Sequence, residues 1–310
     1  MTQRPAAAAR IARKYRAGRG ATLRPAFQCL WLSIALLLAP VGGANADILA
    51  APWRALPWHL VDYHHKFPPT GIFRSLSMDM TLRGRVDPGA SLYLSPLWGK
   101  LDETGFYFGF VSDLSGPRGR RLVGKGLLFS RWGKGRKSDT RTPDGAWAYI
   151  GDKRTSGEGD FVSVRRAFEW GQGRYSFKLT ARPDPAATWV DLAIIEHRTG
   201  ARIDGGGLRF PGSGLKLQKT LVSFVELFPP HGKGKWTFPK TVPRLDVAFR
   251  PVVVNDTFGP VAQRVHFPKK VPRLVQVHDD GFEFNVSLGR IPLAAALNDN
   301  TSDMKEAGSK

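Results

Sequence analysis

Between Ser75 and Leu82 the side chains alternate without a break: Leu76, Met78, Met80 and Leu82 fall on one face, Ser75, Ser77, Asp79 and Thr81 on the other. A period of two marks an extended strand with one buried face, because successive side chains point to opposite sides of a pleated backbone. The pattern returns in Arg174 to Thr180, with Tyr175, Phe177 and Leu179 inward, and in Phe282 to Leu288, with Phe282, Phe284, Val286 and Leu288 inward. Half-buried strands of this kind belong to antiparallel sheets.

Other segments are apolar on both faces. Phe106 to Val111, Leu127 to Phe129 and Trp189 to Ile195 predict central strands covered on two sides, with Trp189 in the core. Turn chemistry separates the runs at short intervals: Asp87-Pro88-Gly89, Ser115-Gly116-Pro117, Pro143-Asp144-Gly145, Gly171-Gln172-Gly173, Arg198-Thr199-Gly200 and Asp280-Gly281. No stretch after Asp47 keeps a helical period. About a dozen strands without βαβ spacing predict an all-β chain, a large two-sheet antiparallel β-sandwich of jelly-roll or concanavalin-like type.

The N-terminus has the layout of a secretory signal. Arg-rich Met1 to Arg24 precedes an apolar run, Cys29 to Ala39, too short to span a bilayer comfortably, and Ala44-Asn45-Ala46 offers small residues to a signal peptidase. Export to the periplasm or beyond, with cleavage after Ala46, is therefore expected. Residues 47–297 are expected to form one sandwich domain, and the polar, aperiodic stretch 298–310 a disordered tail. The lone cysteine, Cys29, leaves with the signal, so neither disulfide nor thiolate chemistry is expected of the mature chain. Segment 1–46 holds seven of the 46 Lys and Arg residues and none of the 26 Asp and Glu residues, which leaves 39 basic against 26 acidic groups, a net +13. Such an excess favours anionic partners through long-range attraction.

One internal echo stands out. Phe238-Pro-Lys-Thr-Val-Pro-Arg-Leu245 returns 29 residues later as Phe267-Pro-Lys-Lys-Val-Pro-Arg-Leu274. Two copies cannot build a solenoid, which needs at least three. They read as two equivalent segments leading into strands at one end of the sandwich, with Pro limiting further edge pairing.

From Phe106 to Arg209 a set of short motifs carries a family resemblance: Tyr107-Phe108-Gly109-Phe110, Leu128-Phe129-Ser130-Arg131-Trp132, Gly157-Glu158-Gly159-Asp160, Phe168-Glu169-Trp170 and Arg174-Tyr175-Ser176-Phe177. Their order, followed by Trp189 to Ile195 and Lys235-Trp236-Thr237-Phe238, resembles the DUF3472 family of secreted bacterial proteins of unknown function. The resemblance implies a concanavalin-like sandwich and a leaning toward sugars, and it supplies no catalytic residues. The Gly-Glu-Gly-Asp element departs from that family's more usual Gly-Glu-Gly-Ser or Gly-Glu-Gly-Gly.

Eight of the nine tryptophans follow residue 46. Indole faces stack on sugar rings while a few polar groups fix orientation. Trp98, Trp132, Trp147, Trp170 and Trp236 sit beside glycine or charged residues at predicted strand ends, and two or three of them are expected to form an exposed platform. Arg131, with Lys134 and Arg136 of the densest basic run, Gly133 to Lys137, would meet an anionic polysaccharide or other cell-surface glycan. That run would suit nucleic acid by charge alone, but export makes it an unlikely target.

Catalysis has weaker support. Glycoside hydrolysis needs two carboxyl groups about 5 to 10 Å apart across one bond. Glu158 and Asp160 have a suitable i, i+2 spacing in a glycine-rich loop, where with Asp152 they would equally suit Ca²⁺. A lyase would use a Tyr or His base with a cation, for which Tyr63, His64 and His65, with His59 and Arg74 nearby, are the candidates. The same imidazoles could bind zinc, although their spacing matches no recognised ligand pattern. Gly205-Gly206-Gly207 and Gly124-Lys125-Gly126 lack the strand-to-helix setting of a phosphate loop, so no nucleotide cofactor is expected. No Gly-x-Ser-x-Gly elbow is present. The residues thus predict a binding protein, with a polysaccharide-cleaving enzyme on the same scaffold and a ligand-free envelope protein as alternatives.

Overall fold

The computed structural model describes residues 59–117, 122–152, 159–227, 231–232, 235–236, 243–268 and 275–289. The expected leader 1–46, the expected tail 298–310, Glu158 and most of both echo copies lie outside them. In chain order the strands are β1 (His59–Lys66), β2 (Ser75–Arg83), β3 (Leu92–Leu101), β4 (Thr104–Val111), β5 (Gly126–Trp132), β6 (Thr140–Arg141), β7 (Ala146–Gly151), β8 (Phe161–Ala167), β9 (Gly173–Asp184) and β10 (Ala187–Glu196). They continue with β11 (Ala201–Pro211), β12 (Thr220–Leu227), β13 (His231–Gly232), β14 (Lys235–Trp236), β15 (Leu245–Phe249), β16 (Val253–Val254), β17 (Ala262–His266), β18 (Val275–Asp279) and β19 (Phe284–Leu288). One 3₁₀ turn, Lys137–Asp139, is the helical element among the described residues.

Two antiparallel sheets form the sandwich. One has eight strands in the order β17-β1-β12-β3-β4-β5-β8-β7; the other has nine, β18-β19-β15-β2-β9-β10-β11-β6, with β16 also pairing β2. The inner faces meet through aromatic rings: Phe108 and Phe110 of the first sheet lie 5.7 and 5.2 Å from Phe177 of the second, Phe106 lies 6.1 Å from Phe210, and Tyr63 stacks on Phe284 at 4.0 Å. Burial of such large side chains is the dominant favourable term in a chain without disulfides.

The predicted alternation is realised in β2, where Leu76, Met78, Met80 and Leu82 are all buried, and in β9 through Tyr175, Phe177 and Leu179. Five of the six predicted turn segments fall wholly between strands, and in the sixth, Gly171-Gln172-Gly173, the last residue already opens β9. Phe282 is a correction. It is 62% exposed, because the Asp280 carboxylate accepts the backbone N–H of both Phe282 and Glu283, which holds Phe282 in the turn before β19 begins. Trp189 is another, half-buried on the outer face of β10 with Arg182 near its ring, and Ile195, further along the same face, is exposed. The strands that follow the echo copies, β15 and β18, flank β19 and both pair with Leu288, through Leu245 and Val275.

Two bulges decide which side chains face outward. In β3, two residues between Leu94 and Leu97 (Ser95 and Pro96) stand against one on β4 between Phe110 and Phe108 (Gly109), so Leu94 and Leu97 both point inward and Trp98 is turned outward. Pro96 at the bulge is tolerated in a central strand for this reason. Gly109 on β4 is required opposite it, since a β-carbon there would lie 2.1 Å from the Leu94 carbonyl oxygen. In β1 an irregularity between His59 and Val61 sets His59 on the same outer face as Asp62 and His64.

Candidate functional site

The outer face of the eight-stranded sheet carries an apolar cluster separate from the core: Tyr93, Leu114, Leu128, Val222 and Phe224 are buried there, with Trp98, Tyr107, Val111 and Trp147 half-buried around them. The register explains the gathering. Trp98 pairs with Tyr107 and with Val222, Tyr107 with Ser130, and Trp132 with Phe161, so alternate residues of neighbouring strands share one surface. Ring contacts run across five strands, from His59 on Phe224 (4.3 Å) through Phe224–Tyr93 (5.4 Å) and Tyr93–Tyr107 (5.9 Å) to Tyr107–Trp132 (4.7 Å). Trp98 closes the group, edge-on to Trp132 at 6.4 Å.

Polar groups interleave with these rings. Ser130 and Ser163, both fully buried, share a 2.9 Å hydroxyl hydrogen bond in the floor of the face. The Arg165 guanidinium lies 3.8 Å over the Tyr149 ring, and the Trp147 indole N–H is buried without a hydrogen-bond acceptor among the described residues. Half-buried rings around a small polar set have the composition of a ligand-binding surface.

Three of the five predicted platform tryptophans, Trp98, Trp132 and Trp147, therefore share one face. Trp170 does not. It is 2% exposed in the core, stacked on Phe110 at 5.6 Å, with its indole N–H donated to the Val111 carbonyl at 3.0 Å. The side chain of Trp236 lies outside the described residues. Arg131 is a further correction: it points into the sandwich, 4% exposed, and donates to the carbonyl of Arg209 at 2.7 Å and to the Asp139 carboxylate at 3.4 Å. Alternation along β5 makes this unavoidable, since Trp132 outward requires Arg131 inward. Lys134 and Arg136 are exposed on the connection that leaves β5 for the other sheet.

The histidine-tyrosine group is split by the pleat of β1. Tyr63 and His65 face the core. The Tyr63 hydroxyl donates to Asp279 at 3.0 Å, and burial raises its pKa far above the ordinary phenol range. His65 is fully buried in a closed chain: the Gln263 amide donates to His65 Nδ1 (3.2 Å), His65 Nε2 to Ser223 Oγ (2.9 Å), and Ser223 to the Pro96 carbonyl (2.6 Å). Burial pushes the His65 pKa down to about 3, so the ring is held neutral. Neither group reaches solvent as a base.

His64 points outward, toward two residues that no motif in the sequence marks, Asp62 and His266. Asp62 and His266 each place a ligand atom within 4.8 Å of one on His64, and of one another. His266 stands directly opposite Asp62 across the β1–β17 pairing. Burial lowers the His64 pKa against the pull of Asp62. The alternation of Asp62 with Tyr63 and of His64 with His65 was available in the sequence, but the partner strand 204 residues away was not. Asp152 and Asp160 mark the neck of the β7–β8 connection, where the Asp160 carbonyl accepts the Gly133 N–H at 2.8 Å.

The opposite outer face holds an open cavity of about 530 Å³ bordered by Ser77, Asp79, Ser176, Lys178, Arg250 and Phe282. At its rim Ser176 Oγ lies 2.5 Å from Asp79 and 2.6 Å from His197 Nε2. A nucleophilic serine would need its proton directed at the histidine and the carboxylate behind it. Here the hydroxyl donates to Asp79 and accepts from His197, so the trio is a hydrogen-bonded surface link.

No family model matches the chain, and no curated protein matches it. Among solved structures, scytalido-glutamic peptidase bound to a peptide-based transition-state analogue aligns over 73% of this chain and 98% of the peptidase, with 12% identity and a TM-score of 0.41. SCP-B, a member of the eqolisin family of peptidases in complex with the tripeptide Ala-Ile-His, aligns over the same shares with 11% identity and a TM-score of 0.37. Likeness at this level transfers neither substrate nor residue role.

Proposed function

We propose that the chain is an exported carbohydrate-binding sandwich whose ligand lies along the outer face of the eight-stranded sheet, across Trp98, Tyr107 and Trp132. The observation that carries this reading is the placement of three half-buried aromatic side chains from three adjacent strands on one face, above a polar floor of Ser130 and Ser163. Sugar rings stack on such surfaces through their axial C–H groups, while hydroxyls and guanidinium groups set orientation. The net charge of +13 that remains without segment 1–46, with Lys134 and Arg136 exposed beyond β5, favours an acidic polymer. The DUF3472 resemblance and the secretory leader point the same way.

A glycan array with acidic and neutral polymers at two salt concentrations tests the reading, followed by a reducing-end assay on each hit. Acidic polymers are expected to bind, more weakly at high salt, with loss of binding in Trp98→Ala and Trp132→Ala. Binding that ignores both substitutions, or no binding to any polymer, would overturn it. Release of reducing ends would recast the protein as a polysaccharide-cleaving enzyme on this face.

A further inference from the structure

We propose that Asp62, His64 and His266 form a three-ligand site for a divalent transition metal of the zinc class, at the β17 edge of the outer face, with His59 orienting the carboxylate.

The donor set comes first. Two imidazole nitrogens and one carboxylate oxygen are the ligands of zinc-class ions, whereas calcium and magnesium take oxygen alone. The spacing fits as well. In a tetrahedral site with bonds of about 2.0 to 2.1 Å, neighbouring ligand atoms are about 3.4 Å apart. His266 Nδ1 and Asp62 Oδ2 already stand at 3.4 Å, and all three ligand atoms lie within 4.8 Å of one another. Closing the remainder requires side-chain movement of about an ångström, which His266, exposed on an edge strand, can supply.

Two further observations point to an ion rather than to a self-satisfied cluster. His64 Nε2 is buried with no hydrogen-bond partner among the described residues, a cost that coordination would remove. The Asp62 carboxylate is also divided in its contacts: Oδ1 is engaged by His59 Nδ1 at 2.6 Å, and Oδ2 faces His266. The His59 ring is itself fixed, stacked on Phe224 at 4.3 Å and 15°. A ligating carboxylate oriented through its other oxygen is the usual supporting arrangement of metal centres. Three protein ligands leave a coordination position toward solvent, as open zinc sites do.

The full chain, purified without a polyhistidine tag, is stripped with chelator and titrated with Co²⁺, read by visible absorption and by calorimetry. One Co²⁺ per chain with intense d–d bands is expected, displaced by Zn²⁺. His266→Ala and His64→Ala should each weaken affinity at least about 100-fold, and His59→Phe by about 10- to 100-fold. His197→Ala, on the opposite sheet, should change nothing. Circular dichroism of His266→Ala establishes that this exposed edge substitution leaves the fold intact. Failure of the wild-type chain to bind Co²⁺, or equal binding by His266→Ala, would overturn the proposal.

Discussion

The six-membered ring of Trp132 rests on the bare α-carbon of Gly105, where a β-carbon would lie 2.7 Å from Trp132 Cε3. Only glycine accepts an indole so close to a strand backbone. Gly105→Ala must therefore displace the ring from its place beside Tyr107 and Trp98. Because the contact is on the outer face, core packing is untouched and the loss of stability should stay near 1 kcal/mol. Ligand binding should fall about tenfold, equivalent to 1.4 kcal/mol. Affinity electrophoresis against the array hit, with a denaturation curve on the same variant, checks both parts.

Trp170 and Trp98 should give opposite results. Trp170 anchors the core through Phe110 and the Val111 carbonyl, and Lys125 Nζ donates to the Trp170 backbone carbonyl at 3.0 Å. Trp170→Ala is expected to cost about 3 to 5 kcal/mol, lowering the denaturant midpoint. Trp98→Ala should cost far less in stability and abolish glycan retention. Equal stability loss in the two variants would contradict the separation of core and face.

This division was only partly legible in the sequence. Alternation in β2 and β9 fixed the class and the inward faces, since a period of two leaves no other assignment. What alternation could not give is the extra residue at Ser95–Pro96, which turns Trp98 outward, or the one near His59, which sets it beside Asp62. A bulge is a tertiary solution to crowding, here the meeting of Pro96 with Gly109, and leaves no local period. His266 was illegible for a different reason: its strand pairs β1 only through the folded topology. Asn255 is similar. Buried with φ of 52°, it accepts from the N–H groups of Arg74 and Ser75 and donates to the carbonyls of Thr70 and Ile72, a junction no nearby motif announces.

Arg131, which its basic neighbours would place at the surface, should behave as a buried cation. Desolvation lowers its pKa, and Asp139 is the carboxylate that opposes this. Removing the partner alone leaves a buried charge facing only carbonyl groups. Asp139→Asn is therefore expected to cost about 3 kcal/mol, whereas Arg131→Met, which removes the charge and keeps much of the volume, should cost less. Chemical denaturation of both variants gives the order, and a larger loss in Arg131→Met would refute it.

The pair formed by Arg141 and Asp204 gives the protein a defined acid dependence. Arg141 reaches both Asp204 oxygens, at 2.7 and 2.8 Å, and these hydrogen bonds hold the carboxyl below its ordinary range. A carboxyl depressed in the folded state binds fewer protons there than in the unfolded chain, so stability rises with pH through the carboxylate range. The contribution is complete above the ordinary Asp value and disappears as pH falls through the lowered one. With the Asp204 side chain 46% exposed, screening keeps it below about 1 kcal/mol. Urea midpoints of wild type and Asp204→Asn should accordingly differ at neutral pH and converge on acidification. A gap that widens as the pH drops would show that Asp204 is not held ionised by Arg141.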